Sequence, residues 1–269
     1  MLTLFTTIVS RSLFLTWIFI VPASVILAGY YDLWWWLVAG LVYSKIIALI
    51  GVQIGLHRYF AHRSFSTGKL RHIVLCAVSL LCGEGSPTQW SVIHRHHHKN
   101  SDTKYDIHSP KESLWNAVFL WPLRNLDWYT SRRLQKSHIQ FNDKYIEFTH
   151  RYYGVIWCVL IVATALIDWK MTVFLLLFPA GFATINSNLI TNVFCHMKFP
   201  GSYRTFDLPD NSINNKWLQV YQWGEGLHNN HHKFPHKYTQ AFSPNEFDPA
   251  AWVIKKFFLV PDPNSKYKF

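Results

Sequence analysis

Four long apolar runs, set in two pairs, dominate the alternation of hydrophobic and polar positions along this chain. They cover about residues 13–30, 33–55, 152–168 and 171–192, and each approaches the roughly 20 residues an α-helix needs to cross a bilayer. Only Tyr30-Tyr31-Asp32 separates the first pair and Asp168-Trp169-Lys170 the second, so the pattern predicts two helical hairpins. A fifth run, Ile73 to Cys82, is too short to span and ends in Gly83-Glu84-Gly85-Ser86-Pro87; it predicts an interfacial or re-entrant helix. The expected fold is an all-α integral membrane protein with four transmembrane helices in two hairpins, an interfacial helix, and a helical cap built from the polar segments 57–150 and 196–269.

Composition agrees with that division. Half of the residues are hydrophobic and 15% are charged, which suits a membrane protein with large extramembrane parts. The short turns carry almost no positive charge, whereas residues 57–150 hold 13 Lys/Arg against 7 Asp/Glu and residues 196–269 hold 9 against 6. By the positive-inside rule both termini and both polar segments lie in the cytoplasm. The net charge of +11 is dispersed over these loops, which argues against nucleic-acid binding. The first run reads as a retained span rather than a cleaved signal segment, and no repeat or linker divides the chain, so 1–269 is taken as one domain. Cys76, Cys82, Cys158 and Cys195 form no Cys-x2-Cys pair and read as small apolar residues.

The polar segments carry the chemistry. Three histidine clusters stand out: His57-Arg-Tyr-Phe-Ala-His62, His94-Arg-His-His97-His98 and His228-Asn-Asn-His231-His232. In the second and third, the i, i+3, i+4 spacing puts three imidazoles on one side of a helix. In the first, i and i+5 stand about 140° apart on an ideal α-helix, so a helix end or distortion is expected there. Neutral imidazole is the commonest transition-metal ligand among side chains. Along the fourth run Thr184, Asn188, Asn192 and His196 recur every fourth residue, a polar stripe that is costly in lipid unless it faces protein or a functional cavity. It either hydrogen-bonds helices together or leads from the bilayer to a metal, with His196 as ligand and Asn192 holding a metal-bound water.

The three clusters resemble the histidine boxes of membrane-bound fatty acyl desaturases. Gly55-Leu-His-Arg-Tyr-Phe-Ala-His-Arg63 and Gly224-Glu-Gly-Leu-His-Asn-Asn-His-His-Lys-Phe-Pro235 look like those of the stearoyl-type Δ9 branch. Asp106-x-His108 and Asn192-x3-His196 extend the likeness, which runs from about residue 33 to the C-terminus. The resemblance implies a cytosolic pair of irons held by nine histidines: His57, His62, His94, His98 and His231 about one metal, His97, His196, His228 and His232 about the other, with Asn192 acting through water. His96 has no counterpart ligand and points away from its neighbours on the helix. Trp90 matches a position near the bend of the family's acyl tunnel; Asn188 and Thr184 are expected to line that tunnel.

Oxidising an unactivated methylene needs a redox-active metal that binds dioxygen, which favours iron over zinc. Nine neutral ligands leave the metals' charge uncompensated, so Glu225, Asp106 and Glu84 are expected to orient rings from behind, Glu225 lying three residues before His228. The implied function is dioxygen-dependent insertion of a cis double bond, Δ9 by likeness, into a saturated acyl chain carried on a glycerolipid, on coenzyme A or on a carrier protein. No haem or flavin segment is visible, so the electrons come from an external donor such as ferredoxin or a b-type cytochrome, drawn by the basic face; the same charge also suits anionic membrane lipid. A related di-iron hydroxylase or ketolase, or a histidine-rich metal carrier, are the rivals. Lys45, near the middle of the second run, has no evident partner in the sequence.

Overall fold

The computed structural model describes residues 2–124 and 143–260. Four helices are long and apolar enough to cross a membrane. The first runs Leu2–Tyr30; the second covers Trp34–Ala61, the third Lys144–Ile167 and the fourth Met171–Phe194. The hairpin turns fall at the two polar triplets. Three spans outrun their apolar stretches because polar residues continue the helix. The third starts two turns before its apolar run, where the Asp143 carboxylate accepts from the amides of Tyr145 and Ile146, 2.9 and 3.0 Å away, satisfying two orphan donors of the first turn.

The second half of span 2, Ala48–Ala61, is wound wide. At its end the His62 amide donates to the His57 carbonyl at 3.1 Å. This i→i+5 winding, frequent as a bulge at functional sites, stacks residue 62 above residue 57, so the first box needs no straight α-helix. Span 4 has the same winding over Asn186–Phe194, which turns the polar stripe expected from a period of four: Asn186, Ser187, Thr191 and Asn192 come to one cleft.

The fifth apolar run forms an amphipathic helix, Lys69–Leu81, burying His72, Leu75, Cys76, Ser79 and Leu80. Ser79 donates to the Gly51 carbonyl at 3.0 Å, tying it to span 2, and Trp157 of span 3 donates to the Leu80 carbonyl at 3.0 Å. Gly83 and Gly85, both at positive φ, then reverse the chain in a turn that L side chains disfavour. The second-box helix Pro87–Asn100 follows, started by a reciprocal cap between Ser86 and Gln89.

The cap closes round the end of span 2. Leu49, Ile54, Tyr59 and Phe60 pack with Leu75, Ile146, Ala250, Ile254 and Phe258 in one cluster, each full burial of an Ile or Phe contributing about 1.5–3 kcal/mol. After span 4 a short antiparallel pair, Ser202–Tyr203 with Asn214–Asn215, delivers the chain to the third-box helix His228–Lys233. Lys45 finds its partner in this region. Its Nζ donates to the Tyr221 carbonyl at 3.3 Å and lies 3.5 Å from the centre of the Tyr221 ring, a cation–π contact that offsets part of its desolvation.

Candidate metal centre

The cap brings nine histidines from four stretches of chain into two groups, each with its ring nitrogens mutually within 4.8 Å: His57, His62, His94, His98 and His231, and His97, His196, His228 and His232. The wide end of span 2 supplies His57 and His62. The second-box helix divides its three rings, His94 and His98 to the first group and His97 to the second. The third-box helix divides likewise, His231 to the first and His228 and His232 to the second. His196 follows the end of span 4. The groups abut, the His98 and His232 ring centres lying 4.4 Å apart.

Within each group the Nε2 atoms face one another. His57 and His231 approach to 2.8 Å, His62 and His94 to 2.7 Å, and His231 and His98 to 2.9 Å; His228 lies 3.0 Å from His196 and 3.1 Å from His232. Behind the rings, Nδ1 of His57 meets Glu225 at 2.6 Å, His97 meets Asp106 at 2.9 Å, His196 meets Asp102 at 2.8 Å and His232 meets Asp210 at 3.1 Å. A carboxylate accepts, so these Nδ1 atoms carry the proton and their Nε2 lone pairs point inward. Converging lone pairs repel unless a cation stands between them. The donor set therefore fits two metal ions, one within each group, and imidazole-rich sites suit iron, zinc or copper.

The electrostatics favour the neutral form of six of the nine rings and the ionised form of the paired acids; His97 is the exception, raised because the Asp106 carboxylate outweighs its burial. Burial, reinforced by neighbouring histidines, pushes His62, His94, His98, His228 and His231 well below the usual imidazole range. Burial takes His232 down to about 4 against the pull of Asp210. Burial works the other way on the acids, yet His57 and Arg58 bring Glu225 down to about 2, and His97 and His108 hold Asp106 well below the carboxylate range.

Several expected residues sit elsewhere than the sequence suggests. Glu225 backs His57 rather than His228, and among the described residues Nδ1 of His228 has no partner. Among the described residues Glu84 bonds no histidine; it accepts from Trp90 Nε1 at 2.9 Å and from Ser187 Oγ at 2.7 Å, and burial pushes it up to about 7. Asp106 does back His97. His96 turns outward to the Tyr105 carbonyl, as its helical angle predicts. His138 lies outside the described residues.

A cleft between spans 2 and 4 leads to the rings, its walls including Ala48, Val52, Ala183, Trp90 and Asn192. Trp90 stacks on His94 with ring centres 4.5 Å apart. Asn188 borders an adjoining cavity with Trp121 and His108; its Oδ1 accepts from Trp121 at 3.2 Å and from Asn192 at 3.4 Å. Thr184 is buried and donates back to the Ala180 carbonyl at 3.0 Å, outside the lining of either cavity.

Sequence reasoning passed over Asp102, Asp210, Arg58 and Asp248. Arg58 is fully buried and joins the first box to the C-terminal part, reaching Glu225 at 3.0 Å and Asp248 at 2.9 Å. The available signal was scarcity: the chain has only 15 acids, and buried cations require some of them near the boxes. The two asparagines of the third box are structural. Asn229 accepts from the amides of Thr205 and Phe206 at 2.9 and 2.8 Å, and Asn230 bonds Asn214 and the Gln240 carbonyl at 2.8 and 2.9 Å.

Four membrane-length helices capped by paired histidine groups define a membrane protein with a candidate metal centre. The chain belongs to the fatty acid desaturase family, a family of oxidoreductases, whose profile matches residues 32–259. Among curated relatives it is 29% identical over 250 residues to Delta-9 acyl-lipid desaturase 2 of Arabidopsis thaliana, covering 90% of this chain and 78% of that one. It is 31% identical to the sn-1 stearoyl-lipid 9-desaturase of Anabaena variabilis, covering 78% and 76% respectively. It is also 31% identical to the hex-5-enoyl-[acyl-carrier protein] acetylenase of Moorena producens (strain JHB), covering 86% and 79%.

Proposed function

We propose that this enzyme inserts a cis double bond, at Δ9, into a saturated acyl chain of a membrane glycerolipid. The balance is one CH2–CH2 unit, dioxygen, two electrons and two protons giving CH=CH and two waters. The observation that carries this reading is the gathering of nine histidines in two groups, eight of them with Nε2 atoms in close mutual approach, at the end of the cleft between spans 2 and 4. Two irons, when bound, would supply the redox couple that activates dioxygen and removes hydrogen. His57, His62, His94, His98 and His231 would hold one and His97, His196, His228 and His232 the other, with Asn192 reaching the second through a water.

The remaining work falls to the chain's own residues. Glu225, Asp106, Asp102 and Asp210 fix ring orientation and raise donor strength. Ala48, Val52 and Ala183 offer the acyl chain an apolar wall. Trp90, pinned by Glu84, restricts where the methylenes pass the rings, and position fixes which carbon reacts. The acyl-lipid carrier is favoured by the similarity to two relatives so named. Electrons come from an acidic donor such as ferredoxin or a b-type cytochrome, meeting the basic loops, which face the cytoplasm by the charge rule. Expression in a desaturase-deficient host, with double bonds located in each lipid class, tests the reading. A product lighter by two hydrogens at C9–C10 of glycerolipid chains is expected; a product gaining oxygen, or one confined to acyl-CoA, contradicts it.

A further inference from the structure

The two histidine groups differ in what stands behind them. Among the described residues a carboxylate pairs with three of the four rings in the second group, through Asp102, Asp106 and Asp210, but with one of the five in the first, through Glu225. The charges differ as well. Among the described residues no Lys or Arg forms an ion pair with the carboxylate of Asp102, Asp106 or Asp210, although Arg204 donates to the Asp210 main-chain carbonyl at 3.0 Å; Glu225 shares its charge with Arg58, Nη2 to Oε1 3.0 Å. Exposure runs the same way. His62, His94 and His98 of the first group are partly open to solvent, and in the second group only His232 is.

We infer that the chain holds its two metals unequally: Asp102, Asp106 and Asp210 are positioning residues that make the four-ring group the tight site, and the five-ring group is the labile one. The inference rests on the di-metal reading above. A ring N–H held by a carboxylate fixes the imidazole and raises its basicity, and losing such a partner typically lowers metal affinity about 10–100-fold. The tight site concentrates three of these partners and three negative charges beside one cation. The labile site has more ligands, but among the described residues four of its five rings have no acid behind them, and the carboxylate behind the fifth is drawn toward Arg58.

The test is anaerobic release of Fe(II) from the two-iron holoprotein in lipid nanodiscs to a colorimetric ferrous chelator. Release in two phases of one equivalent each, separated by about tenfold or more, is expected. His62→Ala, or His94→Ala should the first fold poorly, removes the fast equivalent and leaves the slow one. Asp210→Asn keeps an acceptor for the His232 ring and removes the charge; it speeds the slow phase about 10–100-fold and leaves the fast one in place. Asp210 sits at the edge of the cap, and an unchanged melting curve separates this effect from unfolding. Release of both equivalents in one phase, loss of the slow phase in His62→Ala, or an unmoved slow phase in Asp210→Asn would overturn the inference. A protein that takes up no iron would instead refute the di-metal reading beneath it.

Discussion

Replacing Glu84 by Gln changes one proton and little else, which makes it a quantitative probe of the cleft wall. The Glu84 carboxyl is 3% exposed and accepts from Trp90 and Ser187. Those two bonds favour the ionised form, but burial outweighs them and pushes the group up to about 7, against about 4.3 in an unfolded chain. Between those values the folded protein keeps a proton that the unfolded chain has lost, so stability falls as pH rises and levels off above about 7. At about 1.4 kcal/mol per pH unit, the loss is of order 3 kcal/mol. Gln has no proton to lose, and its amide can accept from Trp90 while donating to the Ser187 oxygen. Unfolding of both proteins, metal-free and in nanodiscs, is measured from pH 4.5 to 8, and the difference between the two curves cancels every other titrating group. Glu84→Gln gains about 3 kcal/mol on the parent across that range. A difference that stays flat with pH would show Glu84 to be ionised throughout, and the argument from burial would be wrong.

Other predictions concern the rings, the third box and Lys45. His97→Ala and His231→Ala each abolish turnover and lower bound iron, whereas His138→Ala does neither; equal activity and iron in all three, by product assay and metal analysis, would refute the ligand set. A Cβ at Gly226 would meet the Leu218 and Gln219 backbone, which cannot yield as a side chain can. Gly226→Ala therefore destabilises by about 2 kcal/mol or more and loosens the third-box helix, seen as faster amide exchange at 228–233; unchanged exchange would contradict the close approach. Lys45 lies one turn beyond Ala48 of the cleft wall, and its partner Tyr221 precedes Gln222 of the same lining. Lys45→Ala opens that end, so the product profile shifts toward longer chains in lipid analysis; an unchanged profile would place Lys45 outside the acyl path.

How far the sequence reveals this protein depends on the range of each interaction. The spans are legible because about 20 apolar residues have few alternatives, and the hairpin turns because their polar triplets interrupt them. The box helices follow from i, i+3, i+4 spacing. Span ends were less visible: His57 and His62 ride on a wide helix whose i→i+5 winding leaves no mark in hydropathy. Thr184 lies in the α-helical stretch just before the wide winding and outside the cleft lining, whereas the winding over Asn186–Phe194 brings Ser187 and Thr191 to it. Long-range polar pairing was least visible. His196 meets Asp102 across 94 positions, Arg58 meets Asp248 across 190, and Lys45 reaches Tyr221 across 176; no local pattern encodes such partners. Proximity in sequence also misled once, since Glu225 lies three residues from His228 and yet serves His57.

In the proposed function, imidazoles from remote stretches of chain gather a pair of irons at the end of the acyl cleft. Metal analysis and turnover measured on one purified, lipid-embedded preparation test it most directly. Two irons per chain are expected, with desaturation falling in step as a chelator removes them and returning when ferrous iron is restored. Full desaturation by protein that contains no iron would contradict it.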